Sequence, residues 1–191
     1  MAAPDKKCCA GCVNIRQKTR SEENMKITAI FTALRALLLG RGECTVDNAV
    51  VASFDLHRFL GTWYEIARLD HPFERGLTQA RAQYALRADG NVDVLNTGIQ
   101  NGAPKTAKGR ARCTDTPGLL RVSFFGPFYS DYRVLWLDAD YQCALIGSST
   151  DRYLWLLARA PRITEAAKTA LLAEARRRRY ETEKLIWVTQ E

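Results

Sequence analysis

Six cysteines, two histidines and a carboxylate on an apolar face are the groups of this 191-residue chain with the most chemistry to offer. Cys113 lies near the end of the run Lys105 to Thr114, where Lys108, Arg110 and Arg112 alternate with Ala107, Gly109 and Ala111. On a strand, that period of two puts the cations out and Cys113 in, beside the small residues. A thiol attacks only as the thiolate, and no base or cation shares its face. Cys143 reads as a small core residue, and a Cys113–Cys143 disulfide in an oxidising compartment is left open. Cys8, Cys9 and Cys12 crowd the polar N-terminus. Two thiols three apart can ligate zinc, but no second pair or histidine follows them. His57 and His71 sit in turn and loop sequence without a second ligand, so no metal site is expected. Glu65 alternates onto the face of Trp63, where a lone carboxylate is costly unless it is paired with an inward arginine or marks the polar end of a cavity. The chain has no Gly-x-Ser-x-Gly, no histidine pair at metal spacing and no phosphate-cradling loop. The inventory favours binding over catalysis, with no cofactor.

Short alternating runs position these groups. Gly61 to Arg68 puts Trp63, Glu65 and Ala67 on one face and Tyr64, Ile66 and Arg68 on the other. A loop punctuated by Pro72 and Gly76 follows. Thr78 to Arg87 carries Ala80, Ala82, Tyr84 and Leu86 inward, and Asn91 to Gly98 carries Val92 and Val94. After Lys105 to Thr114 comes Leu119 to Phe125, with Leu120, Val122 and Phe124 on one face. Tyr132, Val134 and Trp136 share a face of a sixth strand. Tyr141 to Gly147 is a seventh, and Tyr153 to Arg159 an eighth, with Trp155, Leu157 and Arg159 together. Eight short strands joined by close turns form an antiparallel meander, and closing it removes both edges. The expected fold is therefore all-β, an eight-stranded antiparallel up-and-down β-barrel. A C-terminal α-helix begins near Thr164, which caps it, and lays Ala167, Leu171 and Ala175 on the barrel wall. Arg176 to Arg179 read as its solvated last turn. Leu185 to Val188 reads as a short final strand.

The net charge is +7, and residues 1–44 supply more than half of it, so no nucleic-acid partner is expected. Residues 1–24 read as a disordered tail or an overcalled start, with translation beginning at Met25. Residues 25–44 read as a signal peptide: Met25-Lys26 is its charged end and Ile27 to Leu39 its apolar centre, too short for a comfortable membrane span. Mature protein is expected to begin beyond Leu39, in an exported form. Residues 45–191 make up the barrel domain.

Order, spacing and wording resemble the lipocalin family, and within it the bacterial outer-membrane lipoprotein lipocalins. Gly61-Thr62-Trp63 matches the opening Gly-x-Trp motif, Ser130-Asp131-Tyr132 the sixth-strand motif, and Arg159 the arginine closing the eighth strand. Gly61 to Gly76, Val122 to Tyr129 and Tyr153 to Pro161 are similar over longer runs, and the resemblance spans roughly Ser53 to Thr189. It implies that Arg159 packs across Trp63 at a closed end. It implies acylation of Cys44 as the mature N-terminus, anchoring the protein on the periplasmic side of the outer membrane. Arg41-Gly42-Glu43 lack the small residues that such a cut favours, so a soluble periplasmic product is the alternative.

The resemblance also implies a fatty acid or lysophospholipid held in the barrel, stored or transported for outer-membrane maintenance. Tyr84, Val94, Val122, Phe124, Val134, Trp136, Trp155 and Leu157 would line it, with Ala82 and Ala111 leaving room and Tyr129 at the mouth. A homodimer is left open. One alternative is a Cys113-dependent lipid isomerase, because an inward thiol resembles that of the prostaglandin-synthase lipocalins. Another is a scaffold that binds nothing inside.

Overall fold

The structure is a computed structural model that describes residues 45–190. The N-terminal tail, the signal-like segment and Cys44 lie outside the described residues. A short helix α1 (Leu56–Phe59) leads into β1 (Gly61–Leu69), β2 (Leu77–Leu86), β3 (Val92–Gln100) and β4 (Ala103–Cys113). Then come β5 (Leu119–Phe125), β6 (Phe128–Leu137), β7 (Cys143–Gly147) and β8 (Leu154–Ala158). Helix α2 (Glu165–Arg177), a 3-10 turn (Thr182–Lys184) and β9 (Leu185–Trp187) complete the chain.

Each strand from β1 to β7 pairs antiparallel with the next, and β8 returns to β1, so the barrel closes. The pairing of β1 with β2 covers only Gly61 to Tyr64. Beyond it, the C-terminal segment fills the seam. β9 pairs with Ala67 to Leu69, and Thr189 accepts from the Gln79 N–H at 2.7 Å. The Gln190 amide donates to the carbonyls of Glu65 (2.7 Å) and Ala80 (2.8 Å). Backbone groups that the parting strands leave unpaired are thus satisfied.

Two bulges reverse the facing that strict alternation predicts. In β1 the register slips between Glu65 and Ala67: Glu65 stands opposite Leu157, Ala67 opposite Leu156, and Arg68 opposite Trp155. Leu157 and Trp155 belong to the apolar cluster inside the barrel, so Arg68 joins Glu65 inside, while Ile66 and Ala67 turn out toward α2. Arg68 was expected on the face opposite Glu65, and the extra residue is the reason it is not. In β6 the slip falls between Val134 and Trp136. Val134 faces in against Ile146, whereas Trp136 stands opposite Leu145 and packs with the outer cluster. The expectation that Trp136 lines the interior is therefore corrected.

α2 has the expected cap, the Thr164 hydroxyl accepting from the Ala167 N–H at 3.2 Å. Leu171 and Ala175 are fully buried against the outer wall. The arginine run is not simply solvated. Arg178 is buried and donates to the carbonyls of Asp47 (3.1 Å), Ala49 (2.7 Å) and Leu135 (2.6 Å), with Glu174 at 2.8 Å. It ties the segment before α1 to β6. Leu86, expected inward, is largely exposed near the end of β2.

Candidate binding site inside the barrel

β1 enters from the closed end. Gly61 adopts φ +93°, which favours glycine, and a Cβ there would sit 3.3 Å from Arg159 Nη1, which would have to give way by a few tenths of an ångström. Trp63 is fully buried, its indole N–H donating to the Phe59 carbonyl at 2.8 Å. The Arg159 guanidinium lies 4.0 Å above the Trp63 ring and donates to the carbonyls of Arg58 (2.6 Å), Thr62 (2.9 Å) and Tyr141 (3.3 Å). That contact combines a cation–π attraction with satisfied carbonyls.

Phe59 packs 4.9 Å from Trp63 and 5.3 Å from Tyr84, measured between ring centroids. The Tyr84 and Tyr132 hydroxyls share a hydrogen bond of 2.8 Å. β2 and β6 are not sheet neighbours, so this bond crosses the interior. Burial pushes both phenols above their ordinary values, so both remain neutral. Trp63, Phe59 and the tyrosine pair form a sealed floor. Asp131 of the sixth-strand motif faces out, pairing with Arg133 (3.0 Å) and Arg121 (3.3 Å).

Val94, Ala111, Val134 and Leu157 are enclosed in the wall beside the floor. Ala82, Val122, Phe124 and Trp155 belong to the same interior cluster but remain only partly buried. Gly109 leaves no room: a Cβ there would meet the Phe124 ring at 2.8 Å. Tyr129 does not line the mouth. It lies on β6 beneath Arg112, whose guanidinium is 4.5 Å from its ring. Cys113 is exposed at the end of β4 rather than enclosed, and Cys143 is buried; both thiols are free, so they form no disulfide. Partial desolvation raises the pKa of Cys113, and burial with the nearby Asp138 charge raises that of Cys143, the reverse of what a nucleophilic thiolate needs.

A polar cluster lies toward the upper end. Arg68 Nη1 lies 2.6 Å from Glu65 Oε1, and Arg68 Nη2 donates to the carbonyls of Glu74 (2.5 Å) and Leu77 (3.2 Å). The loop between β1 and β2 is thereby drawn into the mouth. Glu74 accepts from the Trp155 indole N–H at 3.0 Å and lies 2.9 Å from His71 Nε2. His71 is buried, its ring 4.1 Å from Phe73 and 5.3 Å from Trp155. Burial, and then the charge of Glu74, push Glu65 to about 8 despite Arg68. Burial pushes Glu74 the same way, but the His71 and Trp155 hydrogen bonds and the nearby cations outweigh it, holding Glu74 below its ordinary value. Near neutrality Glu65 therefore keeps its proton while Glu74 is ionised.

Asn96 Oδ1 is buried without a hydrogen-bond partner among the described residues. Arg68, Glu74 and His71 were not expected in the site. The lone inward Glu65 pointed to a partner, but alternation placed that partner on the wrong face. No group of three metal-ligating side chains occurs among the described residues. A sealed apolar floor, a partly open upper wall and a polar rim suit an amphipathic molecule.

Residues 54–190 match the Lipocalin-like domain, and the chain belongs to that family. Among its relatives it is 47% identical over 145 residues to the outer membrane lipoprotein Blc of Escherichia coli K12, covering 74% of this chain and 82% of that protein. It is 42% identical over 170 residues to the outer membrane lipoprotein Blc of Vibrio cholerae, covering 85% and 99%. The temperature-induced lipocalin-1 of Arabidopsis thaliana is 35% identical over 150 residues, covering 73% and 81%. Among solved structures, insecticyanin of the tobacco hornworm Manduca sexta superposes with a TM-score of 0.64 at 23% identity, covering 77% of this chain and 86% of that one. That likeness speaks for the fold.

Proposed function

We propose that this chain binds a single amphipathic lipid, a fatty acid or lysophospholipid, and holds or carries it at the outer membrane. One observation carries the reading. Inward-facing Ala82, Val122, Phe124 and Trp155 stay partly exposed above a floor whose Trp63 is fully enclosed. Apolar surface left wet inside a barrel is a place for an acyl chain, each buried methylene contributing ~0.8 kcal/mol. The polar cluster of Glu65, Arg68, His71 and Glu74 meets the head group.

The two relatives named as outer membrane lipoproteins support export and a place at that membrane. The protein is anchored there if Cys44 is acylated, and soluble in the periplasm if it is not. An isomerase using Cys113 is disfavoured by the exposure and raised pKa of that thiol. Native mass spectrometry of protein purified without detergent tests the proposal. Retained lipid of one-to-one stoichiometry is expected. Protein that emerges empty and takes up no added lipid contradicts it.

A further inference from the structure

The strand directions put the β1–β2 loop and the β5–β6 turn at the mouth, away from Trp63. Phe73, in the loop between β1 and β2, is 48% exposed. Phe125 and Phe128, flanking the turn between β5 and β6, are 70% and 45% exposed. These side chains are presented on braced backbone. Lys105 donates to the Phe73 carbonyl at 2.7 Å, and the Gln100 amide donates to the Arg75 carbonyl at 2.7 Å. Ser123 donates to the Gly126 carbonyl at 3.0 Å, and Phe125 and Phe128 stand opposite each other in register. Large apolar side chains fixed outward at one end of a molecule mark an interaction surface.

The flank beside them is basic. Between residues 103 and 125 the sequence carries Lys105, Lys108, Arg110, Arg112 and Arg121 against Asp115. Lys108, Arg110 and Arg112 are exposed on the outer face of β4. We propose that the mouth docks on an anionic lipid bilayer, with Phe73, Phe125 and Phe128 among the acyl chains and the β4–β5 flank turned toward the headgroups. An apolar tip with cations behind it is complementary to such a surface. A second copy of the chain is a poorer occupant, because mouth-to-mouth contact brings two basic flanks together. The inference rests on the lipid-carrier reading for its purpose: a lipid passing between bilayer and barrel then avoids open water.

Flotation of the full chain, produced without acylation, tests the docking on phosphatidylcholine vesicles with and without phosphatidylglycerol. Wild type is expected to float with the anionic vesicles and to be released by raised salt. The triple variant F73S/F125S/F128S should partition at least about tenfold more weakly, and K108E/R110E should lose the preference for anionic vesicles. K108E/R110E and the double variant F125S/F128S, which leaves the Phe73–His71 contact intact, should keep their affinity for a monomeric lysophospholipid and their melting temperature. Equal flotation of wild type and triple variant overturns the docking. So does light scattering that shows a phenylalanine-dependent dimer with no vesicle binding. If flotation behaves as expected while no lipid enters the barrel in solution, the docking stands and the carrier reading falls.

Discussion

Replacing Trp63 with alanine should damage the fold more than any change at the rim. Trp63 has no exposed surface, contacts Phe59 and lies beneath Arg159 at 4.0 Å. Large-to-small changes at such a site cost about 3–5 kcal/mol, and the Phe59 carbonyl also loses its donor. A domain of this size unfolds with about 0.3 kcal/mol/K of entropy. The melting temperature should therefore fall by roughly 10–16 °C. Arg159→Met removes the cation–π contact, worth ~0.5–2 kcal/mol, and the donors to three carbonyls. The double variant should show coupling of about 0.5–2 kcal/mol between the positions. Thermal and denaturant unfolding followed by circular dichroism measure these values. A melting temperature that drops by less than about 3 °C for Trp63→Ala would show that this tryptophan is not the floor.

Three further outcomes are expected. Glu65 titrates near 8 in the folded protein against an ordinary 4.5. The stability it governs is therefore fully present below its unfolded value and lost as pH rises through about 8. Glu65→Gln should flatten that decline, and wild-type denaturation midpoints that rise between about pH 5 and pH 9 would contradict it. In folded protein, iodoacetamide should label Cys113 slowly and Cys143 only after unfolding, as read by peptide mass spectrometry; equal labelling of both would contradict the burial of Cys143. Trp136→Ala should lower stability without changing lipid affinity, because Trp136 packs outside the barrel. Selective loss of affinity would return it to the lining.

The architecture was legible because alternation and turn chemistry report directly on strands. Leu119 to Phe125 and the Thr164 cap are found where the sequence puts them. Bulges are invisible to the same reasoning. One extra residue near Ile66 turned Arg68 in, and another near Leu135 turned Trp136 out. The period of two holds only until a residue is inserted, and nothing in these side chains announces the insertion. Tyr129 stands one residue into β6, where alternation turns its side chain out beneath Arg112. His71 and Glu74 look like ordinary loop residues. Their burial depends on the grip of Arg68 on the Glu74 and Leu77 carbonyls, contacts that form only once the barrel is closed. The burial of Arg178 likewise depends on a distant segment, at Asp47 and Ala49.

The most direct test of the carrier reading is titration of delipidated protein with fatty acids and lysophospholipids of graded chain length, followed by tryptophan fluorescence. Micromolar binding corresponds to about −8 kcal/mol, which roughly ten buried methylenes at ~0.8 kcal/mol each supply before ordering costs. Affinity should climb with chain length and then level off where the chain meets Trp63 and the Tyr84–Tyr132 pair. Val122→Trp and Ala82→Arg, at partly buried positions of the interior cluster, should abolish binding in protein that still melts cooperatively. If no chain length binds, or if the blocked variants bind as wild type does, the interior is not a lipid site.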